Sequence, residues 1–364
     1  MARVLFLIDQ IASGGAPRSV LKITRALLAA GSHVTLISLS DRLGLPIPED
    51  AEAHVVPFTP KGRWQKLHRY QLHANILNEF LDNNRLEFDL VVSHLHHAHQ
   101  VARRSKLADS AWMCIRSDPL QELLSNKHGW RRSIKLRKIR RLYGNKRIIA
   151  LSSTNLRSLE QLGVRPAKTL VIPNVLEVSH IQARMLEPIP EPELRDTHFC
   201  VYVGRLNMRQ KRLDRLLRGY QASGTELPLV LIGDGDRDAV EKEIESLGLQ
   251  QRVTLLGARD NPYPYMRQAS VLLLASDYEG LPNVLLEALA CGTPVVSTDC
   301  LSGPSDILTG DLVRGLVPLN DIDRYGQAIR EMLEAPPTIT SEAIAAYTPE
   351  AVASRYLSLP TVST

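Results

Sequence analysis

The chain is short of aromatics, which make up 5% of its 364 residues. Together with the lack of a recognised nucleic-acid module, this weighs against a nucleic-acid-binding protein, the class its net charge of +5 otherwise suggests. Cysteine is scarce too. Cys114, Cys200, Cys291 and Cys300 include no C-x-x-C pair, and each sits among apolar neighbours. That pattern favours buried thiols in a reducing compartment over disulfides. No apolar run approaches a membrane span, and Ala2 to Ile8 reads as a strand rather than a targeting segment. Internal repeats and low-complexity tracts are missing.

What is present is a long alternation of strands and helices. The length suits two domains. Val4–Ile8, Val34–Leu39, Asp89–Ser93, Ala111–Ile115, Arg147–Leu151 and Thr169–Ile172 read as strands, with helical patterns over Arg18–Ala30 and His68–Phe80. Phe199–Val203, Leu229–Ile232, Val253–Leu255, Val271–Leu274 and Pro294–Ser297 repeat the style. Such alternation predicts doubly wound α/β sheets. Glu177–Thr197, rich in proline and charge, is expected to hold a linker. The resulting division is 1–176, 177–345, and a final helical segment 346–364.

Ala275 to Ser305 organises the rest. The strand Val271–Leu274 enters a polar turn, Ser276–Gly280. Pro282 suits a first helical position. Val284, Leu285, Ala288 and Leu289 form a helical stripe, and Cys291-Gly292 closes it. The turn thus falls at a strand's carboxyl end, where open parallel sheets bind ligands. The N–H groups of Leu281 and Asn283 are placed to face an anion there. Glu279 and Glu287 frame the helix. Eight steps of 100° overshoot two turns by about 80°, so the two carboxylates line one cleft only if Glu279 stays in the loop.

The run from Glu279 to Asp299, EGLPNVLLEALACGTPVVSTD, resembles the E-x7-E signature of retaining, nucleotide-sugar-dependent glycosyltransferases of the GT-B fold. The resemblance implies two Rossmann-like domains facing a central cleft, with the last helix crossing back to the first domain. It further implies that Glu279 binds donor-sugar hydroxyls and Glu287 the ribose, with Gly280, Leu281, Pro282 and Asn283 beside the diphosphate. Val203 to Lys211 matches the family's G-R-L…K element. Gly204, Arg205 and Lys211 are therefore expected at the leaving diphosphate, where a guanidinium forks onto two oxygens and an ammonium acts as a point charge. Arg209 and Arg212 are expected to be solvated. Ile232-Gly233-Asp234-Gly235 resembles a G-x-G turn, and Leu256-Gly257 the segment that meets the nucleobase. Gly14 and Gly15, opening a helix after the first strand, are expected to touch donor phosphate or acceptor. The family often carries Glu where Pro17 stands.

The first half adds His94, His96, His97 and His99 at a strand end. A contact to acceptor is the favoured role, because no nearby acid completes a metal-ligand set. The family's usual histidine after the next strand is missing. Arg116 is the candidate to replace its electrostatic role, and Asp118 a candidate acceptor contact. No metal or other cofactor is expected, since fixed cations stabilise the leaving group. Asn261–Met266 and Ser302–Leu308 resemble segments of bacterial surface-polysaccharide and lipid-linked-glycan transferases. They point to UDP-GalNAc or UDP-GlcNAc as donor. A nucleotide-sugar epimerase or a phosphorylase is the enzymatic alternative, although nothing marks a lysine for pyridoxal phosphate.

Finally, Arg131–Arg147, RRSIKLRKIRRLYGNKR, holds nine lysines or arginines and no acid, so the remainder of the chain is net acidic. Leu136, Ile139 and Tyr143 recur at helical spacing. A cationic helix is predicted, with Arg137, Lys138, Arg140 and Arg141 meeting an anionic membrane and the pyrophosphate of a polyprenyl-linked acceptor. The expected setting is peripheral, on the cytoplasmic face of the cell membrane.

Overall fold

A computed structural model describes every residue except 13, 119–123, 125–128, 302 and 360–364. The chain divides into two compact units, Met1–Val175 with Pro349–Thr364, and Leu176–Thr348.

The first unit begins β1 (Arg3–Ile8), α1 (Gly15–Ala29), β2 (His33–Ser38), β3 (Glu52–Val55), α2 (Gly62–Asn83), β4 (Leu90–His94) and α3 (His96–Ala102). It continues β5 (Trp112–Ile115), α4 (Gly129–Tyr143), β6 (Arg147–Ala150), α5 (Ser153–Gln161) and β7 (Lys168–Val171). The strands form one sheet in the order β3-β2-β1-β4-β5-β6-β7, with parallel pairings throughout. Both faces of such a sheet are covered, so its strands read as apolar runs; Val4 to Ile8 are all fully buried. The edge strand β3 has the sequence EAHV and no fully buried residue. It carries no apolar run, which is why the sequence pattern passes over it.

The second unit runs α6 (Val178–Arg184), β8 (Cys200–Val203), α7 (Leu213–Ser223), β9 (Leu229–Ile232), α8 (Arg237–Ser246), β10 (Val253–Gly257) and α9 (Tyr263–Gln268). Then come β11 (Val271–Leu274), α10 (Asn283–Ala290), β12 (Val295–Thr298), α11 (Pro304–Ile307), β13 (Leu316–Val317), α12 (Ile322–Glu334) and α13 (Glu342–Ala345). Its sheet has the order β10-β9-β8-β11-β12-β13 and is also parallel. The last helix, α14 (Pro349–Leu357), belongs to the first unit and packs on α1.

The segment expected to be a linker is folded onto the second unit. Arg259 pairs with Glu191 at 2.6 Å, Tyr265 donates its hydroxyl to the same carboxylate, and Asn261 Nδ2 reaches Arg184 O at 2.9 Å. All four cysteines are buried free thiols.

Candidate active site

In the second sheet the winding reverses between the neighbouring strands β8 and β11. Their following loops therefore diverge and leave room for a ligand at the carboxyl edge. These loops are 204–212 and 275–282, the two segments singled out in the sequence, and they are bonded to each other. Lys211 Nζ lies 2.5 Å from Glu279 Oε1, with the two side chains only 12% and 10% exposed. Ser276 Oγ donates to the same oxygen at 2.6 Å. The lysine and glutamate expected at different parts of one substrate thus form a single ion pair. Arg205 is exposed beside them and donates to Gln210 Oε1 at 3.4 Å.

Gln210 was invisible in the sequence pattern, yet it ties the loops. Its carbonyl accepts from Asp277 N at 2.8 Å and its amide donates to Tyr278 O at 3.1 Å. Asp277 is held further. Arg215, 3% exposed, donates to Asp277 Oδ1 and Ala275 O, each at 2.7 Å. Arg212, expected to be solvated, instead bonds Asp214 at 2.8 Å and Asp277 at 3.2 Å. Arg209 is exposed, as expected.

Pro282 stands one residue before α10, as its N-cap. Glu287 is half-buried on that helix. Burial, and then the negative charge of Glu287, push the Cys291 thiol up to about 12 and raise the Tyr263 phenol. Two glycines let loops approach. A Cβ at Gly233, φ +146°, would lie 1.8 Å from Gly204 O. One at Gly303, φ +100°, would lie 2.5 Å from Pro282 Cδ. Only glycine fits either place. Leu256 and Gly257 end β10, and the Leu256 carbonyl accepts from Arg259 Nη1 at 2.5 Å. Asp234-Gly235-Asp236 has a D-x-D spacing, which the expectation of metal independence overlooks. Asp234 Oδ1 accepts from Ala258 N at 3.0 Å. Among the described residues no three His, Cys, Asp or Glu side chains gather to hold an ion.

The first sheet reverses between β1 and β4. Gly14, φ +129°, is the N-cap of α1 and Gly15 its first residue; no acid lies in that first turn. Ser13 of the same loop lies outside the described residues. Asp9, just past β1, accepts from His97 N at 3.2 Å and Ala98 N at 2.6 Å. Burial outweighs these bonds and raises its carboxyl to about 6.

The histidines are mostly walled in. His94 is fully buried against Phe6, ring centroids 5.3 Å apart, and neither ring nitrogen has a hydrogen-bond partner. His97 Nε2 and His73 Nδ1 are 2.9 Å apart. His99 contacts Tyr143 Oη at 3.2 Å and Ser93 O at 3.1 Å. Burial lowers His94, His96 and His97, the last to about 4, and His99 to about 3. They are neutral imidazoles at pH 7.

Arg116 bonds Ser19 Oγ and, at 2.5 Å, Asn174 Oδ1. Neither partner is legible in the sequence, because nothing local links Arg116 to positions 97 and 58 residues away. Asp118 is fully buried and accepts from Ser158 Oγ at 2.6 Å, so it is not presented to solvent. Arg137, Lys138, Arg140 and Arg141 are exposed on α4, but Arg140 Nε also caps Leu162 O at 2.7 Å beyond the end of α5.

Two Rossmann-like units, with basic side chains and a glycine-lined floor at the switch point of the second, define a GT-B protein. Residues 197–335 match the family model described as "Glycosyl transferases group 1", and residues 14–175 match "Glycosyl transferase 4-like domain". Each unit thus matches a glycosyltransferase family model over most of its length. The N-acetylgalactosamine-N,N'-diacetylbacillosaminyl-diphospho-undecaprenol 4-alpha-N-acetylgalactosaminyltransferase of Campylobacter jejuni is 28% identical over 338 residues, 92% of this chain and 91% of that one. The lipopolysaccharide 1,6-galactosyltransferase of Escherichia coli K12 is 32% identical over 57% of this chain and 58% of its own. Among solved structures, the apo form of the lipopolysaccharide outer core galactosyltransferase WaaB matches with a TM-score of 0.72 over 98% of each chain, at 19% identity. Anabaena HepE in complex with UDP matches at 0.70 over 97% of this chain and 95% of its own, at 20% identity.

Proposed function

We propose that this glycosyltransferase moves a sugar, with retention at the anomeric carbon, from a UDP-sugar to a polyprenyl-diphosphate-linked glycan. The observation that carries it is the Lys211–Glu279–Ser276 cluster, with exposed Arg205 beside it at the switch point of the second sheet. Negative charge grows on the departing diphosphate as the glycosidic carbon becomes oxocarbenium-like. Arg205, Lys211 and the N-terminus of α10 stabilise that charge. A diphosphate arriving at Lys211 competes with Glu279 for the ammonium and turns the carboxylate toward sugar hydroxyls. Glu287 serves the ribose. No metal is required, because the cations are built in.

The donor is UDP-GalNAc or UDP-GlcNAc, a reading supported by the Campylobacter relative, whose name specifies an N-acetylgalactosaminyl transfer onto a diphospho-undecaprenol glycan. The second half of α4, with Arg137, Lys138 and Arg141, is the counterpart for the acceptor's pyrophosphate. No helix among the described residues is long and apolar enough to cross a membrane; the proposed setting is peripheral, at the cytoplasmic membrane face.

The test is a donor panel scored by UDP release, with a polyprenyl-diphosphate glycan as acceptor and the product's anomeric configuration read by NMR. Acceptor-dependent release from one UDP-N-acetylhexosamine, with an α-linked product, is expected. An inverted product would remove the retaining mechanism. Acceptor-independent conversion to an epimeric sugar nucleotide would make the protein an epimerase.

A further inference from the structure

Two helices of the first unit extend beyond what its core uses. α2 runs from Gly62 to Asn83, but its buried side chains, His73, Ala74, Leu77 and Leu81, all lie in its second half. α4 repeats this: Ile139, Leu142 and Tyr143 are buried, and nothing before them is. The leading turns of both helices therefore have no core to pack on. Helical turns without a buried face are normally polar all round. These are not. Trp64 is 64% and Leu67 79% exposed, and Trp130 is 69% and Ile134 45% exposed. Spacings of three and four residues put each pair on one side of its helix.

Every charged residue along these two stretches is basic. Arg63, Lys66 and Arg69 accompany the first pair, and Arg131, Arg132 and Lys135 the second; no acid occurs from Lys61 to Asn78 or from Gly129 to Arg147. The two stretches also share one face of the sheet. Right-handed crossovers from β3 to β4 and from β5 to β6 put α2 and α4 on the same face of the sheet, flanking α3. Just past α3, the Arg104 guanidinium lies over the Tyr70 ring of α2 at 5.4 Å. Arg69 and Lys135, one from each helix, both act electrostatically on His96 at the start of α3.

We propose that the leading halves of α2 and α4 form one docking surface for an anionic phospholipid bilayer. Trp64, Leu67, Trp130 and Ile134 enter the headgroup–acyl boundary, and the surrounding cations meet lipid phosphates. This deepens the lipid-linked-acceptor reading, on which it rests only for the reason a membrane is needed. Indole rings favour that boundary, where one edge is apolar and the N–H stays wet. A nucleic acid accounts for the cations but gives no role to Leu67 and Ile134.

The chain carries its own control: of its three tryptophans, Trp112 is buried in β5, 1% exposed. The full-length protein is mixed, without donor or acceptor, with vesicles of phosphatidylcholine and phosphatidylglycerol whose acyl chains are brominated. Quenching of Trp64 and Trp130 fluorescence is expected. It disappears in W64F/W130F, where Trp112 alone still emits. W64S/L67S and W130S/I134S each weaken vesicle affinity about tenfold or more. R63Q/K66Q weakens it by about fivefold per cation, and only for vesicles containing phosphatidylglycerol. These side chains are exposed, so the melting temperature stays that of the parent chain.

Vesicle binding without quenching overturns the proposal, since it means adsorption by charge alone. So does the lack of vesicle binding, and so does capture of duplex nucleic acid that W64S/L67S leaves intact. A water-soluble short-chain acceptor separates this inference from the function. Its turnover is expected to be unchanged in W64S/L67S. Vesicle binding with no turnover of any UDP-sugar sinks the transferase reading and leaves the docking surface standing.

Discussion

The two units wind alike but furnish their switch points differently. In the second, charged side chains interlock: Lys211 with Glu279, and Arg212 and Arg215 with Asp277. In the first, the corresponding place holds neutral imidazoles, a capped aspartate and a glycine turn. A parallel sheet leaves a crevice at the same topological position whatever its sequence. What fills the crevice decides its substrate. Fixed cations with carboxylate partners suit a group that arrives and leaves as a polyanion. Buried neutral rings do not attract one, and they make the first unit sensitive to acid.

The largest test of that contrast is chemical. Arg205→Ala is expected to lower turnover by about 2.7–4 kcal/mol of barrier, the usual loss for one donor to a developing anion. Glu279→Gln is expected to abolish most transfer. Steady-state UDP release measures both, and near parental turnover in either would move the site elsewhere.

Stability separates neighbours within the same loop. Lys211→Ala leaves Glu279 buried beside Ser276 without its ammonium. A loss of about 3 kcal/mol is expected, whereas exposed Arg205→Ala changes the denaturation midpoint little. Equal midpoints for the two variants would show that the pair carries no net stability.

Acid is expected to act first on the other unit. Burial holds His99 neutral in the fold down to about 3, against 6.5 for an ordinary histidine. Between those values the unfolded chain binds the extra proton, so stability falls as pH falls from 6.5. For this one group the loss is about 2 kcal/mol at pH 5. His97, with a value near 4, adds a smaller part because it is partly solvated, and Asp9, raised to about 6, offsets part of the loss because the fold takes up its proton first. Hydrogen exchange at pH 7 and pH 5 should show the first unit's amides losing protection before those of the second. Uniform loss across both units would refute the assignment.

Smaller effects come from the cationic helix. Replacing Arg137, Lys138, Arg140 and Arg141 with Gln is expected to raise the acceptor KM and leave the donor KM nearly unchanged. The variant also gives up the Arg140 cap on Leu162, about 1 kcal/mol, which Arg140→Gln alone isolates by melting. The smallest expected change is none: EDTA leaves turnover intact. Loss on chelation, restored by a divalent cation, would bring Asp234 and Asp236 back into consideration.

Much of this was legible in the sequence, for a physical reason. Buried parallel strands must be apolar along their length, so Val271–Leu274 and Leu229–Ile232 coincide with the observed elements. Strands with little buried surface leave no such trace; β3 and the two-residue β13 are examples. The positions of Glu279 and Lys211 at strand ends were readable, but their pairing was not. Periodicity says which end of a sheet a loop occupies, not which side chains meet across it. Arg212 and Arg215 show the limit most clearly. Their partner Asp277 is more than sixty residues away, and in sequence Arg212 is indistinguishable from the solvated Arg209.

The second unit is an insertion, and the consequence concerns how the protein is made and how it can be cut. Leu176 N donates to Tyr347 O at 2.8 Å, so the unit's entry and exit lie side by side. During synthesis the second unit is complete once residue 348 emerges, while the first still waits for α14 to pack on α1. The outer unit, begun first, is therefore finished last. The same adjacency makes Leu176–Thr348 removable in one piece: a short glycine-rich bridge from Val175 to Pro349 restores the first unit's continuity, as adjoining termini permit in other inserted domains.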